Sequence, residues 1–174
     1  KIDGTLLYGS AGVGNANYLM QAALYKDMGL TAETIPHSNN SEGIVNVIAG
    51  TTQAVLTSMS STDQYIASGE VTCIAVMSDE DYTFSDGTVG RSITSQGYES
   101  SKYTIPTIQF FAIRSGTDEA IVDYLYDAFQ ELYQNPDFLK TYEDGCDGTL
   151  TNYSTEEVQS ILKTNAAAAK AMFD

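Results

Sequence analysis

The stretch of this chain best placed to do chemistry is Gly9-Ser10-Ala11-Gly12-Val13-Gly14-Asn15. It lies where a short apolar run over residues 5–8 gives way to a helical pattern over residues 15–28. The first N–H groups of a helix have no partner inside it and carry the positive end of its dipole. Gly12 and Gly14 let a ligand approach that backbone, and Ser10 and Asn15 add side-chain donors. Physically this is a seat for an anion. The same glycines serve equally well to tighten a strand-to-helix turn, and the local sequence leaves both readings open.

The segment excludes some anions. A loop for nucleotide triphosphates needs Lys and then Ser or Thr after its last glycine, and here Asn15-Ala16 follows Gly14. A dinucleotide fingerprint needs a glycine three residues after Gly14, where Asn17 stands. Hydrolysis with Ser10 as nucleophile would need the single histidine, His37, as base, and G-S-A-G-V-G lacks the G-x-S-x-G spacing. A base also needs an orienting partner that the sequence does not show, so His37 reads as a polar loop residue. One histidine and two cysteines make no zinc cluster, and no cofactor is expected. Cys73, inside VTCIAVM, reads as a small buried hydrophobe, and Cys146 lies in a turn rich in Gly and Asp. A cysteine in a strand core seldom faces a distant loop, which argues against a disulfide between them. The paired carboxylates Glu80-Asp81 and Glu156-Glu157 read as solvated.

The elements that position the glycine turn follow from periodicity. Strands are expected at residues 5–8, 32–36, 54–59, 71–78 and 105–114, with helices at 15–28, after Ser41 as cap, and at 62–67. Gly29 and Gly50 stop the first two helices. Residues 79–101, polar and rich in Gly and Ser, read as an ordered loop with one helical turn. Short apolar strands alternating with helices mark an α/β domain with a largely parallel sheet. From Gly116 the pattern is helical. Thr117 caps a helix with the stripe Ile121, Val122, Leu125, Phe129 and Leu132, and Pro136 opens the next. Ser154-Thr155-Glu156-Glu157 is a capping box before a helix that turns Val158, Ile161, Leu162, Ala169 and Met172 inward.

The formal net charge of −15, from 23 acidic against 8 basic residues, repels phosphate backbones, so nucleic acid is no partner. It does not forbid a small anion, since backbone dipoles act locally while salt screens a diffuse field over about 8 Å. No apolar run reaches the length of a membrane span. Beginning at Lys1 without initiator Met or signal segment, the sequence reads as a processed or trimmed piece.

Over nearly its whole length the chain resembles the substrate-binding receptors of tripartite tricarboxylate transporters, the Bug family. YGSAGVGNANYL resembles the family's G-[ST]-x-G-x-G-S-x-x-H-L segment, and TIPHSNNSEGIVNVIAG its V-P-Y-x-G loop and following helix. YIASGEVTCIAV is similar to I-x-x-G-K-x-x-x-L-A-V, and ITSQGY to P-T-x-x-E-x-G-Y. NPDF and the late S-x-E-E resemble the C-terminal helices. Departures are present: the family's Ser after the last glycine is Asn15, its His is Tyr18, its Tyr is His37, and its Pro-Thr pair is Arg91-Ser92. Asp79-Glu80-Asp81 stand where it has a basic residue.

The resemblance implies a periplasmic-binding-protein type II-like lobe followed by C-terminal helices. Residues 1–107 would form the second, ligand-binding lobe, and residues 108–174 a crossing strand and helices returning to a first lobe not in this chain. It implies a receptor rather than an enzyme, periplasmic or lipid-anchored outside the cell, with a small carboxylate and membrane transporter subunits as partners. The residues expected at the ligand are Ser10, Ala11, Gly12, Gly14, Asn15, His37 and Ser58. The stripes on the C-terminal helices lead to an expectation of self-association, or of repacking against the lobe. A ligand-sensing module of a regulator, or an α/β enzyme, stands as the alternative.

Overall fold

A computed structural model of the chain describes residues 4–145 and 150–173. Strand β1 (Leu6–Ser10) is the centre of a three-stranded parallel sheet in the order β2-β1-β3. It pairs with β2 (Ala32–Pro36) from Leu6 opposite Ala32 to Ser10 opposite Pro36, and with β3 (Ala54–Val55) at Tyr8 and Gly9. Helix α1 (Ala16–Asp27) joins β1 to β2, α2 (Asn40–Ile48) joins β2 to β3, and α3 (Met59–Ala67) follows β3.

Alternation along β1 assigns its two faces. Leu6, Tyr8 and Ser10 are buried on one of them, where Tyr8 meets Tyr18 and Tyr25 of α1 with ring centroids 6.3 and 5.2 Å away. On the other face Gly9 leaves room for His37 and Val55. A Cβ on Gly9 would come within 3.1 Å of the His37 ring, and one on Gly43 of α2 within 2.9 Å of it. Two glycines thus let α2 settle onto the sheet over a buried imidazole. A second cluster gathers Ala23 and Leu24 of α1 with Ile93 and Tyr103, and Met172 packs against it. The Tyr103 hydroxyl donates to Asp27 at 2.7 Å, which pins the end of α1 to this cluster.

Several expected boundaries shift, each for a local reason. The strand expected over residues 54–59 stops at Val55, because the Ser58 hydroxyl accepts from the Ser61 N–H and starts α3 at Met59. Residues 71–78 form no strand. Their ladder contact is a single parallel bridge between Val76 and Ser92. Residues 105–114 form no strand either, since no neighbouring strand pairs with them. The expected loop over residues 79–101 contains a two-stranded hairpin, β4 (Tyr82–Thr83) with β5 (Val89–Gly90), and a 3-10 turn at Ser100–Lys102. Asp81 within it accepts from the Ser92 N–H at 2.7 Å, so it is less free than a solvated carboxylate. Asn39, not Ser41, caps α2. Asp118, not Thr117, caps α4 (Glu119–Leu132), the Thr117 hydroxyl donating back to Arg114 O instead.

The chain divides into two units, Lys1–Thr107 with Thr164–Asp174, and Ile108–Lys163. The second holds α4, α5 (Pro136–Gly145) and the N-terminal half of α6 (Thr155–Ala171). Asn135 caps α5, and Ser154 with Glu157 forms the expected reciprocal box at α6. Phe111 and Phe129 meet at 4.5 Å between centroids, and Gln130 and Asn152 exchange amide hydrogen bonds. No residue of α4 or α6 is buried. Cys73 is half-buried and its thiol is pushed up by that burial. Cys146, and with it any pairing to Cys73, lies outside the described residues.

Candidate functional site

Because β1, β2 and β3 run parallel, their carboxyl ends share one edge, and each leads through a short loop into a helix N-terminus. The chain leaves β1 for β2 on one side and returns to β3 on the other, which makes this edge the topological switch point where open α/β sheets take ligands. Asn15, Asn39 and Ser58 cap the three helices, accepting from Asn17 N at 2.9 Å, Glu42 N at 2.9 Å and Ser61 N at 3.4 Å. Polar contacts tie the loops together. His37 N–H donates to Ser10 O at 2.9 Å, Asn17 Nδ2 to Leu56 O at 3.0 Å, and Asn40 Nδ2 to Ser61 Oγ at 3.4 Å.

The three helix ends are not equivalent. At α1 no acidic residue lies in the first turn, and the N–H groups of Ala11, Val13, Gly14 and Ala16 donate to no group among the described residues. Gly12 and Gly14 have φ of 106° and 91°, and no atom lies within 4 Å of where a Cβ would stand. The backbone there is open, and only glycine holds that conformation without strain. At α2 the Glu42 carboxylate accepts from Ser38 N–H at 2.7 Å, and that bond, with help from the Ser38 hydroxyl, holds its carboxyl below the usual range. At α3 the Ser58 hydroxyl also lies 2.7 Å from that of Ser61, and the buried Thr57 hydroxyl has no partner among the described residues. No lysine or arginine occurs in residues 9–18, 36–43 or 55–62.

All seven residues expected from the sequence fall at this edge, in different roles. Ala11, Gly14 and Asn15 are exposed and Gly12 is half-buried. Ser10 is wholly buried, its hydroxyl 2.7 Å from that of Thr34 and 3.4 Å from the Gly12 N–H that donates to it. His37 is 8% exposed, and neither ring nitrogen has a hydrogen-bond partner among the described residues. Ser58 is the half-buried cap of α3. Sequence reasoning missed Asn39, Glu42 and Asn17. The N-x-x-E spacing of Asn39 and Glu42 is a capping-box signal that could have found the first two. The Asn17 contact to Leu56 spans 39 positions and leaves no local trace.

Residues 1–172 match the family described as the tripartite tricarboxylate transporter family receptor, TctC. Among solved structures, a TctC solute binding protein from Polaromonas, without ligand, superposes with a TM-score of 0.64 at 18% identity. The match covers 97% of this chain and 57% of that one, so this chain spans little more than half the length of that relative. At such identity the likeness is one of fold, an α/β lobe with a parallel sheet and helices after it. No curated protein matches the chain.

Proposed function

The chain belongs to the tripartite tricarboxylate transporter receptor family, and from that membership we propose that it is the ligand-binding lobe of a receptor that hands a small carboxylate to a secondary transporter. The observation that carries this reading is the set of amides at Ala11, Val13, Gly14 and Ala16, unpartnered among the described residues, at the positive end of a helix with no acid in its first turn. A carboxylate placed there receives charge-assisted hydrogen bonds, each contributing about 1.5–3 kcal/mol. Asn15, whose Oδ1 is engaged by Asn17, keeps its amide nitrogen for the same ligand. Both comparisons lead to receptors and solute-binding proteins, not to enzymes.

In this reading residues 1–107 are the second of two lobes, and the following non-strand segment and helices serve a first lobe. The partial coverage of the Polaromonas relative supports it, as do the uncovered apolar residues of α4, Ile121, Leu125 and Leu132. Without that lobe the same stripe would drive self-association. The place of work is extracytoplasmic, periplasmic or on a lipid anchor. Among the described residues no helix is long and apolar enough to cross a membrane.

The test is a nuclear magnetic resonance titration of the labelled chain with acetate. Amide shifts concentrated at Ala11, Gly12, Gly14 and Ala16 are expected. Shifts confined to any other part of the chain would remove the seat from this edge.

A further inference from the structure

We propose that Glu42 is a specificity-determining residue, its carboxylate filling the second anion seat at this edge so that the lobe accepts one carboxylate of the ligand and disfavours another. The inference rests on the receptor reading above.

The α1 and α2 ends lie on neighbouring strands, and the His37 N–H to Ser10 O bond holds their loops side by side. Both ends have the electrostatics of an anion site. They differ in charge, because only α2 carries an acid in its first turn. There Ser38 N–H donates to the Glu42 carboxylate at 2.7 Å and Glu42 N–H to Asn39 Oδ1 at 2.9 Å. The bond from Ser38 is made by the ionised form of Glu42, so the α2 dipole faces a fixed negative charge and not an empty seat.

A ligand with one carboxylate on α1 meets that charge only at a distance. A second carboxylate directed toward α2 meets it directly, and no lysine or arginine in the three turns offsets the repulsion. The surrounding charge of −15 adds to it. Beyond one carboxylate, the groups on offer are neutral: the side chains of Asn15, Asn40 and Ser58. These suit hydroxyl or amide groups on the rest of the ligand, so the favoured class is a monocarboxylate with neutral polar substituents.

The experiment compares acetate, succinate and citrate on the whole chain and on Glu42→Gln, reading α1 amide shifts. Glutamine keeps an acceptor for Ser38 N–H, so the cap survives while the charge is lost. In the parent, succinate and citrate should bind no more tightly than acetate. In Glu42→Gln the ratio of citrate to acetate affinity should rise about three- to tenfold at low salt, and less at high salt. Glu42→Ala should move the ratio the same way, which guards against a folding defect in either variant. An unchanged ratio, with α1 still responding, overturns the role of Glu42 and leaves the receptor reading standing. A parent that prefers citrate tenfold also overturns it. Silence of the α1 amides toward every carboxylate overturns both.

Discussion

The hydroxyl of Ser10 lies 2.7 Å from that of Thr34 on the neighbouring strand, wholly shielded from water. The serine of the glycine turn therefore braces the floor of the seat while the amides beside it face outward. Removing the hydroxyl leaves the half-buried Thr34 hydroxyl without this partner. Ser10→Ala should lower unfolding free energy by about 1–2 kcal/mol, read by urea denaturation. Carboxylate shifts at the α1 amides should persist. Loss of binding without loss of stability would mean that Ser10 contacts the ligand itself.

Gly14 gives the opposite prediction. Its φ of 91° is strained for any L-residue, although space around it is open. Gly14→Ala should cost about 1–2 kcal/mol of stability. It should also turn the Gly14 and Ala16 amides away from the ligand, weakening acetate binding at least about tenfold if two charge-assisted bonds are lost. Normal binding by a correctly folded Gly14→Ala protein would dismiss these amides as the seat.

The glycine turn was legible because its meaning is local: strand, tight turn, cap and helix lie within residues 6–17. The same holds for the box of Ser154 and Glu157, whose partners are three positions apart. Pairing was not legible. Residues 71–78 are apolar as a strand should be, yet an apolar run specifies a core-facing backbone and not the neighbour that completes a ladder. Residues 54–59 were misread because Ser58 can sit in a strand or cap a helix, and only its bond to Ser61 decides. Similarly, Ser10 and His37 were identifiable as polar groups near the seat. That one lies under Thr34 and the other between Gly9 and Gly43 depends on the sheet and α2 closing over them.

Two tyrosines make the fold sensitive to alkali. Burial pushes Tyr25 up to about 12, and the hydrogen bond to Asp27 pushes Tyr103 up to about 12. An unfolded tyrosine titrates near about 10. The folded state thus holds these protons more tightly, and their stabilisation is full below pH of about 10 and lost progressively as pH rises toward about 12. Thermal unfolding followed from pH 9 upward should show Tm falling across that window. Tyr103→Phe should start from a lower Tm and fall less steeply. An unchanged slope in that variant would exclude Tyr103 as a contributor.

The stripe on α4 bears on association. Ile121 is 52% exposed and Leu125 40%, on a helix with no buried residue. Apolar surface of this kind tends to find a cover. Sedimentation velocity should show the chain self-associating as its concentration rises, and Leu125→Glu should reduce association without unfolding the sheet. A monodisperse monomer at high concentration would remove self-association from the reading.

The final prediction concerns affinity. If the ligand is held between two lobes, this chain supplies only its own share of the hydrogen bonds. A carboxylate seated on α1 is then half in water, and competing solvation weakens each remaining bond. Two or three bonds missing from a first lobe, at about 1.5–3 kcal/mol each, lower affinity by several factors of ten. Calorimetry of this chain against small carboxylates should therefore show weak binding, in the millimolar range or beyond. A protein carrying both lobes should bind one of them far more tightly. Heat-capacity changes should follow suit, small here and larger where closure buries surface. Micromolar binding by this chain alone would mean that its cleft is complete as it stands, and the assignment of residues 1–107 to one lobe of two would have to be given up.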